Sequence, residues 1–89
     1  MKVNYVENIQ IGHFLIRKMN NKLADISEVV AIMDDNHFGG QTAQFSVHNK
    51  NNLFNIPLSH LSYWMQRDVG FEVYSDIKDV MELYPEEFI

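Results

Sequence analysis

The feature that most constrains the fold is the alternation of polar and apolar residues from Thr42 to His48, within the segment QTAQFSVHN at 41–49. This period of two is typical of a β-strand with one buried face and one exposed face. The segment NKNN at 49–52 then predicts a hairpin turn, and LFNIP at 53–57 predicts the partner strand. Pro57 has no backbone donor, so we expect it to end this strand or to lie at a sheet edge.

Three further segments have the composition of strands. IGHFLIRKM at 11–19 is rich in β-branched and aromatic residues and ends before NNK, which is a turn signal. LADISEVVAIM at 23–33 has apolar spacings that suit a helix, but its β-branched residues favour a strand. After Gly70, FEVYS at 71–75 predicts the last short strand.

A short helix is predicted between the hairpin and the last strand, near residues 59–66. Ser59 can act as its N-cap. Leu61, Trp64 and Met65 are spaced so that they face one side of such a helix, and we expect that side to be buried.

The C-terminal segment, near residues 76–84, has the clearest helical pattern in the chain. Ser75 is expected to cap it by accepting hydrogen bonds from amides of the first turn. Pro85 disfavours helical backbone at Tyr84 and should end the helix there. Four apolar residues at the spacing i, i+3, i+4, i+7 form one stripe: Ile77, Val80, Met81 and Tyr84.

Together these elements predict one α+β domain over residues 1–89, with a small antiparallel sheet of about five strands. The order of the elements, with a short helix before the last strand, is like that of an SH3-type barrel. This is an analogy of pattern, because no diagnostic motif accompanies it. We expect the sheet either to curl into such a barrel or to be covered by the C-terminal helix.

Composition removes several classes of protein. The chain has no cysteine, so neither disulfides nor a cysteine-based zinc site can hold the fold. No apolar run approaches the roughly 18–20 residues that cross a bilayer. The first ten residues, MKVNYVENIQ, lack the apolar core of a signal peptide. We therefore expect a cytoplasmic protein without membrane contact.

The stretch DDNHFGG, residues 34–40, raises the question of a metal or catalytic site. We interpret it as a turn, because Asp, Asn and paired glycines break regular structure and no ligand pair has helical spacing. No serine has a nucleophile-elbow setting and no lysine follows the glycines, so we expect no catalysis, metal or cofactor. The alternative is a small metal-dependent enzyme that uses His37, His48 and Asp34 or Asp35.

Charge is distributed unevenly along the chain. Residues 1–23 carry four cations and one acid, or +3, residues 24–66 carry −3, and residues 67–89 carry seven acids and two cations, or −5. Only Arg17, Lys18 and Lys22 cluster among the cations, so direct nucleic-acid binding is not expected.

The acidic C-terminal third suggests a surface that recognises a basic partner protein, because carboxylates steer encounter and select partners. We hypothesise a non-catalytic inhibitor, of the anti-CRISPR or anti-restriction type found in phages and mobile elements, that covers a basic nucleic-acid groove. Reversing Asp76, Asp79 and Glu82 should then weaken binding. The open alternatives are a merely solvated face and a self-associating structural component. The candidate residues are Asp68, Glu72, Asp76, Asp79, Glu82, Glu86 and Glu87, with Phe88 as an apolar anchor.

Overall fold

The computed structural model describes residues 1–35 and 40–89, apart from the side chain of Asp35. These residues form a six-stranded antiparallel sheet with two α-helices, which confirms the predicted α+β class. Across the sheet the strand order is β1-β6-β2-β3-β4-β5. The elements are β1 (Lys2–Val3), β2 (Phe14–Met19), β3 (Lys22–Asp35), β4 (Gly40–Val47), β5 (Leu53–Pro57), α1 (Leu58–Gln66), β6 (Phe71–Tyr74) and α2 (Ile77–Leu83), with 3₁₀ turns at Val6–Asn8 and Pro85–Phe88.

Strand β2 is buried on both faces of the sheet. Its neighbouring residues Leu15 and Ile16 are both completely buried although their side chains point in opposite directions. Helix α1 covers the face that contains Leu15, and α2 covers the face that contains Ile16. The fold is therefore three layers, with one helix on each side of the sheet.

The larger part of the core lies on the α1 face. Phe45 of β4 stacks on Phe54 of β5 with ring centroids 5.1 Å apart. Leu61 is the fully buried residue of α1, and Trp64 and Met65 pack beside it, as the spacing predicted. The buried members of this cluster are Val3, Ile9, Leu15, Val29, Ala43, Phe45, Ile56, Leu61 and Val73.

The core on the α2 face is smaller. Ile16, Ile26 and Val80 are buried there, and half-buried aromatic side chains surround them. Of the predicted apolar stripe on the C-terminal helix, Val80 is buried and Ile77 and Tyr84 are half-buried, but Met81 is exposed. The stripe is therefore three residues wide rather than four.

The sheet is open in the part of the chain that the structure describes. No backbone ladder joins the two outer strands, β1 and β5, so a closed barrel is not confirmed. Helix α1 covers one face of this open sheet, where it packs against β4, β5 and β6.

Both predicted helix caps are wrong. Pro57, not Ser59, precedes the first residue of α1, and it offers no side-chain acceptor. At α2 the cap is Asp76, whose carboxylate accepts a hydrogen bond from the amide of Lys78 at 3.0 Å. The Ser75 hydroxyl instead donates to the carbonyl oxygen of Met1 at 3.1 Å, so it ties β1 to the end of β6.

Two boundaries also differ from the predictions. Asp34 and Asp35 continue β3 and pair with Gln41 and Gly40 of β4, so the turn begins later than expected. The remaining residues of that predicted turn, 36–39, lie outside the described residues. A sixth strand, β1, adds beside β6 at the N-terminal end of the chain.

Strand β5 forms one edge of the sheet, and its backbone groups alternate in direction. The amide of Val47 donates to the carbonyl of Asn52 at 3.0 Å. Hydrogen-bonded pairs alternate along an antiparallel ladder. The backbone N–H and C=O groups of Phe54 and Ile56 therefore point toward β4. The backbone groups of Leu53, Asn55 and Pro57 point away from the sheet. Pro57 thus has an edge position, as its missing donor predicted.

Gly70 generates the first prediction. It has φ +92°, and a Cβ added there would lie 2.5 Å from the carbonyl oxygen of Lys18. Because both strain and overlap result, Gly70→Ala should lower the free energy of unfolding by about 2–3 kcal/mol. Urea denaturation measures this loss. Gly12→Ala is the matched control, since Gly12 has φ +96° but open space around it. Equal losses for the two variants would contradict the role of close packing at Gly70.

Candidate partner-binding surface

Glu72, on β6, is neutralised by two lysines. Its carboxylate lies 2.6 Å from the Lys18 ammonium and 3.3 Å from that of Lys2, and its side chain is only 16% exposed. The hydroxyl of Tyr74 donates to the same carboxylate at 3.2 Å. Glu72 therefore joins three neighbouring strands, β1, β6 and β2, and offers little charge to a partner.

The ionisation of Glu72 reflects this setting. Burial opposes the charged form, but the hydrogen bond and the attraction of Lys18, with a smaller effect of Lys2, outweigh it and lower the pKa of Glu72. In return, the hydrogen bond to Glu72 raises the pKa of Lys18. The pair is thus mutually stabilised in its charged form.

Asp76 and Asp79 also have partners within the protein. Asp76 caps α2, as described above. Asp79, in the first turn of α2, contacts the α-amino group of Met1. Both carboxylates lie at the N-terminal end of the helix, where negative charge is favourable. Reversing either residue would therefore disturb the fold as well as any partner contact.

Three of the predicted acids remain available to a partner. Glu82, Glu86 and Glu87 are exposed, and none has an ion pair within 4 Å in residues 1–35 and 40–89. Asp68 is exposed as well, but it follows α1 and lies near Lys2 and Glu72, on another part of the surface.

Exposed apolar residues accompany these three acids. Met81 and Leu83 are 42% and 52% exposed, and Ile89 is fully exposed. We define the acidic C-terminal surface as the exposed residues of α2 and of the segment after it: Met81, Glu82, Leu83, Glu86, Glu87 and Ile89. Exposed apolar side chains close in sequence to unpaired carboxylates are a suitable composition for recognising a basic protein.

Phe88, the predicted anchor, is folded back onto the sheet. It is half-buried against the cluster of Ile16, Ile26 and Val80. Its ring centroid lies 4.7 Å from that of His48, whose Nε2 is 3.3 Å from the carbonyl oxygen of Glu87. Phe88 thus holds the C-terminal segment in place and gives Glu86 and Glu87 a defined position.

The residues of the metal hypothesis do not come together where they are described. His48 contacts the C-terminal segment, and Asp34 lies on β3. Within the described part of the chain, no three His, Asp or Glu side chains form a group that could hold a metal ion. His37 lies outside that part, so this alternative stays a prediction.

A second candidate site was missed at the sequence level. It is a cavity of about 490 Å³ on the α1 face, beside the edge strand β5. The residues that matter in it are Arg17, Asp25, Lys50, Phe54, Trp64 and Phe71. They come from six parts of the chain, and no local pattern links them.

Comparisons with protein-family models, with curated proteins and with solved structures found no match to this chain. Neither α1 nor α2, the helices of the described residues, is long and apolar enough to cross a membrane.

The lysine pair of Glu72 generates a pH prediction. A carboxyl whose pKa is lowered by folding stabilises the protein above its usual pKa of 4.5, and this contribution is lost as the pH falls through the lower value of the folded state. Glu72→Gln should therefore cost about 1 kcal/mol at neutral pH and progressively less below about pH 4.5. Urea titrations of both proteins at several pH values measure this difference. A difference that does not change with pH would exclude the ion pairs as its cause.

The cap of α2 gives a further prediction. Asp76→Ala removes the acceptor for the Lys78 amide and should lower the free energy of unfolding by about 1 kcal/mol. Asp76→Asn retains an acceptor and should recover most of this loss. Thermal unfolding followed by circular dichroism distinguishes the two. The cap assignment would be wrong if Asp76→Asn were as destabilising as Asp76→Ala.

Proposed function

We propose that this chain is a small non-catalytic protein that docks its acidic C-terminal surface on the basic surface of another protein and thereby modulates it. The observation that supports this most is the set of three exposed glutamates, Glu82, Glu86 and Glu87, without ion pairs among the described residues. The exposed side chains of Met81 and Leu83 flank Glu82 in the sequence.

The two kinds of side chain have separate tasks in this proposal. Unpaired carboxylates accelerate encounter with a cationic surface and disfavour acidic partners, but they add little affinity. Affinity comes from apolar surface that is removed from water, here that of Met81, Leu83 and Ile89. Because Phe88 fixes the end of the chain against the sheet, little ordering entropy is lost on binding.

The partner we propose is a nucleic-acid-binding enzyme, and the effect is inhibition. Such enzymes have basic grooves that bind phosphates, and carboxylates held on a folded surface can occupy the same groove. This is the mode of action of an anti-CRISPR or anti-restriction protein from a phage or mobile element, acting in the cytoplasm. The net charge of −5 favours attraction to such a groove.

The test is a charge reversal that avoids Asp76 and Asp79, since both have structural partners. Glu82→Lys, Glu86→Lys and Glu87→Lys together change the net charge from −5 to +1, because each reversal adds two charges. A matched control reverses Glu7, Glu28 and Asp34, which are exposed elsewhere. The control variant has the same net charge as the first triple variant. Any difference in binding between the two variants therefore depends on where the reversed acids lie.

The measurement is capture of bacterial nucleic-acid-binding enzymes by each immobilised protein, followed by the nuclease activity of each captured enzyme. Wild type and control should retain such an enzyme and inhibit it, and the reversed variant should lose at least tenfold in apparent affinity. Raising salt from about 0.1 M to about 1 M shortens the Debye length from about 10 Å to about 3 Å and should release the enzyme. Equal binding by both triples would refute docking through the acidic C-terminal surface.

A further inference from the structure

The cavity beside β5 differs in charge from the rest of the protein. Two cations and one carboxylate line it, Arg17, Lys50 and Asp25, so its lining carries a net charge of +1 in a chain of net charge −5. Lys50 is exposed and has no ion pair within 4 Å in the described residues. An anionic group is therefore the favoured occupant of its polar part.

Arg17 is held rigidly in this cavity. Its Nε donates to Asp25 Oδ1 at 2.7 Å, and its Nη2 contacts the other oxygen of the same carboxylate. The guanidinium carbon lies 4.2 Å from the centre of the Phe54 ring. Two of its five N–H groups are used by Asp25, which leaves three for a further acceptor. Because Asp25 fixes the side chain, these donors are preorganised.

The aromatic walls suit an inserted side chain better than a stacked base. Phe54 stacks against Phe45 on one side at 5.1 Å, and Arg17 lies over its ring at 4.2 Å. Trp64 is likewise stacked on Phe71 at 4.8 Å. A nucleobase needs an exposed aromatic face, whereas an aliphatic or aromatic side chain can pack against ring edges.

The open edge of β5 forms one border of the same cavity. Leu53 and Asn55 line the cavity. Their side chains lie on the opposite face of the sheet, so the cavity is bordered by the backbone of these two residues. The amides and carbonyls of these two residues point outward and have no strand partner among the described residues. Leu53 is also 62% exposed on the other face, where a neighbouring strand would cover it.

We infer that the edge of β5 and this cavity form a second binding site, which takes an extended acidic peptide segment as an added strand. The peptide backbone pairs with Leu53 and Asn55. One apolar side chain enters the cavity between Phe54 and Trp64. A carboxylate two residues away lies on the same face of the added strand and binds Arg17 and Lys50. This site goes beyond the proposed function, because it binds an acidic peptide, whereas the acidic C-terminal surface binds a basic protein.

The probes are capped hexapeptides of the patterns Thr-Thr-Φ-Thr-Glu-Thr and Thr-Glu-Thr-Φ-Thr-Thr, where Φ is Phe, Trp, Leu or Met. Both orders are needed because an added strand can run in either direction. Titration of the ¹⁵N-labelled protein should shift the backbone amides of Leu53 and Asn55 and the indole N–H of Trp64. These shifts should saturate at millimolar peptide or below.

Charge and backbone variants then test each part of the site. Lys50→Glu should weaken binding at least threefold, and a probe with Lys in place of Glu should bind this variant better than it binds wild type. Lys22→Glu is the matched control, because Lys22 is an exposed lysine that does not line the cavity. Methylating the peptide nitrogens that face β5 should abolish binding, whereas methylating the alternate nitrogens should not.

Several results would overturn the inference. They are the absence of shifts with every probe, equal binding by the Lys50→Glu and Lys22→Glu variants, and insensitivity to methylation in both positions. Tighter binding of ATP with shifts of the same resonances would identify a nucleotide pocket instead. A protein mass that doubles with concentration, with shifts at Leu53 and Asn55, would identify a second copy of the chain as the occupant. Unchanged spectra away from β5 show that each variant is folded.

Discussion

The burial of β2 on both faces is the constraint on which the rest of the structure depends. Leu15 and Ile16 are adjacent and both fully buried, so an apolar layer is required on each side of the sheet. Because the chain has 89 residues and most of them form the sheet and its turns, only short helices cover the two faces. Helix α1 covers one face, and α2 with the 3₁₀ turn after it covers the other. The acidic C-terminal surface is therefore the outer side of a segment that the core requires.

The acidic residues are concentrated in the C-terminal third of the sequence, but in the folded protein they have different roles. Glu72 joins strands through two lysines, Asp76 caps a helix, and Asp79 contacts the α-amino group of the chain. Glu82, Glu86 and Glu87 have no such contacts in the residues described. A count of charge along the sequence cannot separate these groups, because ion pairs such as that of Lys18 with Glu72 join residues far apart in the chain.

The pattern of polar and apolar residues predicted the strands and helices that are determined by their own local sequence. The strand at 53–57 has the predicted bounds, and the strand character of 23–33 was correct because β-branched residues outweighed helical spacing. Strand β1 was missed because Lys2 and Val3 become a strand only by pairing with β6. The cavity was missed for the same reason, since Arg17, Phe54 and Trp64 meet only through tertiary packing. Ser75 and Asp76 are both good caps, and the choice between them depends on the carbonyl of Met1.

Pro57 has a consequence for how the protein behaves at high concentration. An open strand edge usually invites identical chains to stack without limit, which leads to fibrils. On the outward side of β5, however, Pro57 offers a carbonyl but no amide, and α1 begins immediately after it. An incoming strand can therefore pair over only a few residues before the ladder ends. We therefore expect this edge to pair with one short strand and to disfavour the continued stacking of identical chains.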